Sequence, residues 1–186
     1  MKRSSDLLFS TLAALVLLIP FFVVSVLTKL TSRGPVLYWS DRVGRNNRIF
    51  RMPKFRSMRI DTPVVATHLL TDPGNWLTPI GGFLRKSSLD ELPQLWSILV
   101  GDMSIVGPRP ALFNQDDLID LRTSAGVHFL RPGLTGWAQV NGRDELPIPQ
   151  KVELDVYYLQ NRSFLMDPEI ILKTIAKVLR ADGVKH

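Results

Sequence analysis

From residue 7 to residue 28 the chain carries no charged side chain, 22 positions in a row. Beyond that run, apolar and polar residues alternate in short blocks. Residues 36–43 and 48–52 read as two strands around Gly44-Arg45-Asn46-Asn47, a hairpin turn. If residues 53–58 (Pro-Lys-Phe-Arg-Ser-Met) stay extended, Lys54 and Arg56 share one face and Phe55 takes the other. A polar stretch over 61–75, with Asp72-Pro73-Gly74, reads as a loop. Thr78-Pro79 is the start signal of a short helix over 79–86. Ile80, Phe83 and Leu84 on that helix, with Trp76 and Leu77, either enter the core, which is the expected reading, or rest at a lipid interface. Ser88 and Glu91 have capping-box spacing, which predicts a helix beginning at Ser88, burying Leu89, Leu92, Trp96 and Leu99, and ending at Gly101. Residues 131–143 are rich in turn formers and read as an ordered loop. Two further helices follow. One spans 150–160 and presents Val152, Val156 and Leu159. The other opens at Asp167-Pro168 and runs to about Ala181, with Ile171, Ile175, Val178 and Leu179 on one face and Gly183 past its end.

The uncharged run is long enough to cross a bilayer, which takes roughly 20 residues. Three readings fit it: a spanning helix, a signal peptide opened by Lys2 and Arg3, and a re-entrant hairpin. Pro20, near the middle, removes a helical hydrogen bond and favours a bend. Basic residues flank both ends, Lys2 and Arg3 before and Lys29 and Arg33 after, and a hairpin keeps both flanks on the positive side of the membrane.

Charge sharpens this picture. Net charge is +6, yet residues 29–59 hold nine Lys or Arg against a single acid, Asp41. Residues 60–186 hold 12 basic and 15 acidic residues. The positive excess directly follows the apolar segment, which suits anionic headgroups or phosphorylated ligands. The sequence contains no cysteine, so thiolate and disulfide chemistry are excluded.

The candidate chemistry is concentrated in residues 84–110. Asp90 and Glu91 are adjacent carboxylates, able to hold Mg2+ through one or two oxygens while substrate phosphates and water supply the rest. An aspartate there is also able to attack phosphorus. The plainer reading is a pair of acids that favours a helix N-terminus. Arg109, between Pro108 and Pro110, is a guanidinium on a stiffened backbone and suits bidentate phosphate binding; a tight turn with an exposed arginine is its plainer reading. Lys54, Arg56, Arg85, Arg131 and Arg143 are further cations available to a diphosphate. The three histidines, His68, His128 and His186, lack metal-ligand spacing. No Gly-x-Gly-x-x-Gly, Walker loop or Gly-x-Ser-x-Gly elbow is present. The basic hairpin has few interleaved aromatics, which argues against nucleic acid as a partner.

Over residues 2–174 the chain resembles the small monotopic phosphoglycosyltransferases of the bacterial sugar-transferase family. The resemblance rests on Lys54-Phe55-Arg56-Ser57-Met58, on residues 84–110 and on residues 131–143. It implies an α+β protein. Residues 1–33 would form a membrane-embedded re-entrant helix broken at Pro20. Residues 34–186 would form a small, mostly helical catalytic domain with a short β-hairpin and amphipathic interfacial helices. The implied reaction moves a sugar 1-phosphate from a UDP-sugar to a polyprenyl phosphate (undecaprenyl phosphate) and releases UMP. The step that begins bacterial glycoconjugate assembly has this form. Asp90 would be the nucleophile of a ping-pong cycle and would contact Mg2+; Glu91 would support the metal or the acceptor. Lys54, Arg56, Arg85, Arg109 and Arg143 would bind substrate. The resemblance places the protein at the cytoplasmic face of the bacterial inner membrane among its lipids, and a dimer is compatible with it.

The chain departs from the family pattern in places. Ile19 stands where serine often precedes the proline. Ser40 stands where glutamine often precedes Arg-Val-Gly. Gly142-Arg143-Asp144 replaces Gly-Arg-Asn, and residues 145–149 lack the usual tryptophan. Two other functions fit the same residues: a membrane-bound hydrolase of sugar diphosphates, and a membrane-anchored binding module that works through residues 29–59.

Overall fold

A computed structural model describes residues 2–65, 70–142 and 146–180. His68, His186 and Gly183 lie outside the described residues, as do Arg143 and Ala181.

The apolar run is a bent helix pair, α1 (Lys2–Val16) and α2 (Leu18–Thr31), with an angle of 61° at the break. The break falls at Leu17, one turn before the expected apex at Pro20. The physics is that of a proline kink. The Pro20 ring crowds the carbonyl four residues back, Val16, and supplies no N–H for it, so the distortion appears there. Pro20 itself sits in the first turn of α2, where its fixed φ is favourable. No single described helix is long and apolar enough to cross a membrane.

Both ends of this pair dock on the rest of the protein. The side chain of Lys2 donates to Asp167 and to the Tyr158 hydroxyl. That of Arg3 donates to the Ile98 and Leu99 carbonyls, the exposed C-terminal acceptors of a helix. Asp6 is buried and accepts from Ser104 Oγ at 2.8 Å and from the Ile105 N–H at 3.1 Å. On α2, Val24 is buried against Phe55 and Leu84, and the rings of Phe21 and Phe55 lie 4.8 Å apart. Between these anchors, apolar side chains face outward, among them Leu8, Val16, Ile19 and Phe22.

The predicted hairpin forms and runs further than expected. Strand β1 (Leu37–Val43) pairs antiparallel with β2 (Ile49–Phe55), with Tyr38 opposite Lys54. Helix α3 (Gly81–Lys86) starts two residues later than predicted, because the Thr78 hydroxyl bonds the Ser57 carbonyl instead of capping the helix. Leu84 enters the core, but Phe83 is exposed. The expected capping box at Ser88 does not form. An N-cap takes extended backbone, whereas Ser88 is left-handed (φ 56°) and closes the end of α3. A single 3-10 turn, Leu89–Glu91, follows, and α4 (Gln94–Val100) begins only after Pro93. That restart shifts the helical phase. Ile98, Ser97 and Gln94 are buried, while Trp96, predicted inside, is largely exposed. Gly101 ends α4 at φ 101°, as predicted.

Strand β3 (Ser104–Val106) leads into the Gly107-Pro108-Arg109-Pro110 segment, and α5 (Asp116–Ser124) follows. Residues 131–143, expected to be a loop, contain β4 (Gly133–Thr135), parallel to β3, and α6 (Trp137–Asn141). Glycine allows this pairing: a Cβ on Gly133 would lie 2.1 Å from the Gly107 nitrogen, and one on Gly136 would lie 2.0 Å from the Gly107 oxygen. Helices α7 (Ile148–Asn161) and α8 (Met166–Arg180) complete the fold. Val152, Val156 and Leu159 pack inward as predicted. On α8 the core positions are Met166 and Ile170, so Ile175 and Val178 from the predicted apolar face are left outward with Leu172. The result is a mixed helix and strand domain with two small two-stranded sheets.

Candidate active site

The chain brings five of its predicted site residues together. Asp90 and Glu91 sit in the 3-10 turn, and the flanking Leu89 and Leu92 pin that turn to the cluster of Val24, Phe55 and Leu84. Ser88, directly before it, holds a conformation that non-glycine residues rarely adopt. Backbone outliers of this kind gather at functional sites. The side chain of Lys54, from β2, donates to Glu91 Oε1 at 3.0 Å. Arg109 Nη2 donates to the same oxygen at 3.2 Å. Arg85, in the last turn of α3, adds its charge beside Asp90.

Asp90 is 8% exposed. Burial pushes its carboxyl above the usual aspartate range. Lys54 is the strongest opposing influence, Glu91 adds to the push, and Arg85 and Arg109 oppose it. The arrangement is a buried acid beside three cations, with the neighbouring Glu91 engaged by two of them.

Arg109 is fixed through its backbone. Three successive carbonyls accept hydrogen bonds: Pro108 from the Gly133 N–H (2.8 Å), Arg109 from Arg122 Nη1 (2.7 Å) and Pro110 from Arg42 Nη1 (3.2 Å). Arg122 is held in turn by Asp155, which accepts from its Nε at 2.9 Å and Nη2 at 2.6 Å. Asp155 is 2% exposed. Sequence reasoning missed this pair. Its signal was an acid at position 155 inside the apolar stripe Val152, Val156 and Leu159 of α7.

Other predicted residues fall elsewhere. Arg56 is buried, and its guanidinium donates to the Pro35 carbonyl and to the Ser32 carbonyl and hydroxyl, so it ties β2 to the end of α2. Arg131 donates to the Gly101 carbonyl. Arg143 lies outside the described residues.

Among the described residues no group of three or more His, Cys, Asp or Glu converges as a metal site. The donor set that does exist, two adjacent carboxylates amid three cations, fits Mg2+, which commonly takes one or two carboxylates and completes its shell with phosphate and water. It does not fit a metal held by protein alone.

The sequence pattern of the bacterial sugar transferase family matches residues 1–181. The uncharacterized sugar transferase EpsL of Bacillus subtilis is 41% identical, over 96% of this chain and 89% of that protein. The exopolysaccharide production protein ExoY of Sinorhizobium fredii is 38% identical, over 98% of this chain and 87% of that protein. The undecaprenyl-phosphate galactose phosphotransferase of Salmonella typhimurium is 36% identical over 98% of this chain, which spans only 41% of that longer protein. With the match covering the hairpin, the carboxylate turn and the Pro-Arg-Pro segment alike, the chain belongs to the bacterial sugar transferase family.

Proposed function

We propose that this protein transfers a sugar 1-phosphate from a UDP-sugar to a polyprenyl phosphate and releases UMP. The observation that carries this is Asp90 itself: a buried carboxyl beside Lys54, Arg85 and Arg109, on a turn that directly follows the left-handed Ser88. A purely structural acid gains little from such surroundings. A nucleophile facing a diphosphate gains charge neutralisation and orientation.

The steps follow from these residues. The cations receive the diphosphate, with the Arg109 fork suited to two of its oxygens. Asp90 Oδ attacks the phosphorus that bears the sugar, the bond to the bridging oxygen breaks, and UMP leaves with that oxygen. The sugar phosphate is then esterified to Asp90. A phosphate oxygen of the polyprenyl phosphate attacks the same phosphorus and frees Asp90, giving a polyprenyl diphosphosugar. Glu91, oriented by Lys54 and Arg109, would hold Mg2+ with Asp90. When bound, that ion would lower the negative charge of the diphosphate.

The acceptor is a membrane lipid, and residues 1–33 would enter the bilayer and return by the same face. Both helices of the bent pair are fastened to one domain, while fourteen large apolar side chains along the pair are exposed. At roughly half the 1.5–3 kcal/mol for fully burying such a side chain, lipid insertion of this set gains on the order of 10 kcal/mol. The outward Leu172, Ile175 and Val178 of α8, with Lys173 and Lys177 on the same helix, suit the interface. Residues 34–186 would then lie at the cytoplasmic face of a bacterial inner membrane, the side favoured by the basic flanks.

The test is a panel of UDP-sugars assayed for UMP release with and without polyprenyl phosphate. Sustained UMP release that requires the lipid supports the transferase. Sustained release of free sugar phosphate without lipid would identify a hydrolase.

A further inference from the structure

A second cationic cleft lies apart from the carboxylate turn. It has a volume of about 560 Å³ including its open mouth, and its lining includes Lys2, Arg3, Arg45, Arg131 and Arg162 but neither Asp90 nor Glu91. These five cations come from four separate parts of the chain. Two are committed to the protein: Lys2 to Asp167, and Arg3 to the end of α4. The other three form no ion pair with a described residue, and the one carboxylate lining the cleft, Asp6, offsets only part of their charge. Arg45 and Arg131 each donate through Nε, to the Phe129 and Gly101 carbonyls, and their terminal nitrogens make no hydrogen bond or ion pair with a described residue. Arg162 makes no side-chain hydrogen bond or ion pair with a described residue; its backbone N–H closes the last turn of α7. Asp6, the acid of the cleft, already has both carboxylate oxygens engaged by Ser104 and Ile105. Three guanidiniums gathered in one cleft repel one another unless an anion joins them. Two of them are anchored by Nε, which pre-orients their terminal N–H groups for a tetrahedral oxyanion.

The depth of the cleft indicates which anion. Lys2 and Arg3 line it, and the outward apolar surface of α1 is established by Leu8. Six residues of helix separate Lys2 from Leu8, a rise of about 9 Å, comparable to the polar layer that covers the hydrocarbon core. At the rim, Arg162 is followed by Phe164 and Leu165, which are 82% and 78% exposed. We propose that this cleft is a phosphate-ester site at headgroup depth, taken by one anionic phospholipid of the phosphatidylglycerol class. The lipid would be held without reacting and would seat the base of α1 against α7. This rests on the membrane reading of residues 1–33, and the chemistry it recognises, a phosphate ester, is shared with free phosphate and UMP.

The full chain, purified in neutral detergent, is exchanged against phosphatidylglycerol or phosphatidylcholine and weighed intact by native mass spectrometry. Inorganic phosphate and UMP are titrated calorimetrically in parallel. The variants are the double substitution Arg45→Gln/Arg162→Gln and the charge-preserving Arg162→Lys, and flotation on pure phosphatidylcholine vesicles tests membrane binding on its own. The expected result is one phosphatidylglycerol per chain, preferred over phosphatidylcholine, weakened about ten-fold for each guanidinium removed and largely kept in Arg162→Lys. Phosphate or UMP binding that the double variant abolishes, without lipid preference, keeps the site and assigns it to a free phosphate. Lipid and phosphate binding unchanged in the double variant, or absent from the wild type, overturns the site. A chain that floats yet binds no phosphate ester fails here while its membrane reading stands; one that does not float loses the membrane reading, and the phosphate titration still decides the site.

Discussion

Asp90 links chemistry to stability. Its folded-state proton affinity is raised, so the folded protein binds more protons than the unfolded chain wherever this carboxyl titrates. The contribution is therefore most favourable below the ordinary aspartate value of about 3.9 and is lost as pH rises through the folded value. Asp90→Asn should accordingly raise Tm at neutral pH. The gain should vanish when melting is repeated below the ordinary value, and turnover should be lost throughout. A variant no more stable than wild type at neutral pH would contradict the raised affinity. Lys54 is the strongest influence opposing that rise, so Lys54→Met should move the acid limb of kcat/KM to higher pH as well as lower its plateau. An acid limb that stays in place would separate Lys54 from the ionisation of Asp90. Arg109→Lys keeps the charge and loses the fork. Activity should fall about ten- to a hundred-fold, the value of a charged bidentate contact of roughly 1.5–3 kcal/mol, with Tm little changed. An unfolded Arg109→Lys protein would make the arginine a structural turn residue.

Among the elements, the Pro108-Arg109-Pro110 segment depends on a helix distant in sequence. Arg122→Gln leaves Asp155 buried without its partner, and losses of this kind are about 3–5 kcal/mol. Thermal unfolding should show that loss. Asp155→Asn/Arg122→Gln, which removes both charges, should recover part of the stability but not the full activity, because the Arg109 carbonyl keeps a weaker donor. The hairpin, the Gly101 stop and the apolar stripe of α7 were legible in the sequence, because each follows from local turn chemistry or periodicity. The start of α4 was not, since Ser88 serves the end of α3 in a left-handed conformation and Pro93 restarts the phase. The strand and helix within residues 131–143 were hidden as well. They arise from close backbone contact of Gly107, Gly133 and Gly136, which no local pattern records. Of the site, Lys54, Arg85, Asp90, Glu91 and Arg109 were legible as chemistry. Arg56 was misplaced because charge alone does not reveal that a guanidinium is spent on Ser32 and Pro35.

At the scale of the molecule, the bent pair and the carboxylate turn share one core: Phe55, beside Lys54 in β2, touches Phe21 and Val24 of α2. Geometry at Leu17 is thereby coupled to the position of Lys54. Pro20→Ala restores an N–H for the Val16 carbonyl and should straighten the pair, and a cysteine at Ser4, in a chain with no other cysteine, reports the outcome. The site should be shielded from an impermeant reagent in whole cells and partly labelled after Pro20→Ala, with activity falling in step. Strong labelling without Pro20→Ala would mean that the N-terminus crosses the membrane. The central claim, that Asp90 carries the sugar phosphate, is tested most directly by the enzyme's own mass. The purified chain is mixed with its UDP-sugar in the absence of polyprenyl phosphate, quenched, and weighed intact while UMP is counted. The account predicts a mass gain of one sugar phosphate, mapped to the peptide containing Asp90, with one UMP per active chain and neither in Asp90→Asn. An unmodified mass, with UMP formed only when the lipid acceptor is present, would contradict it.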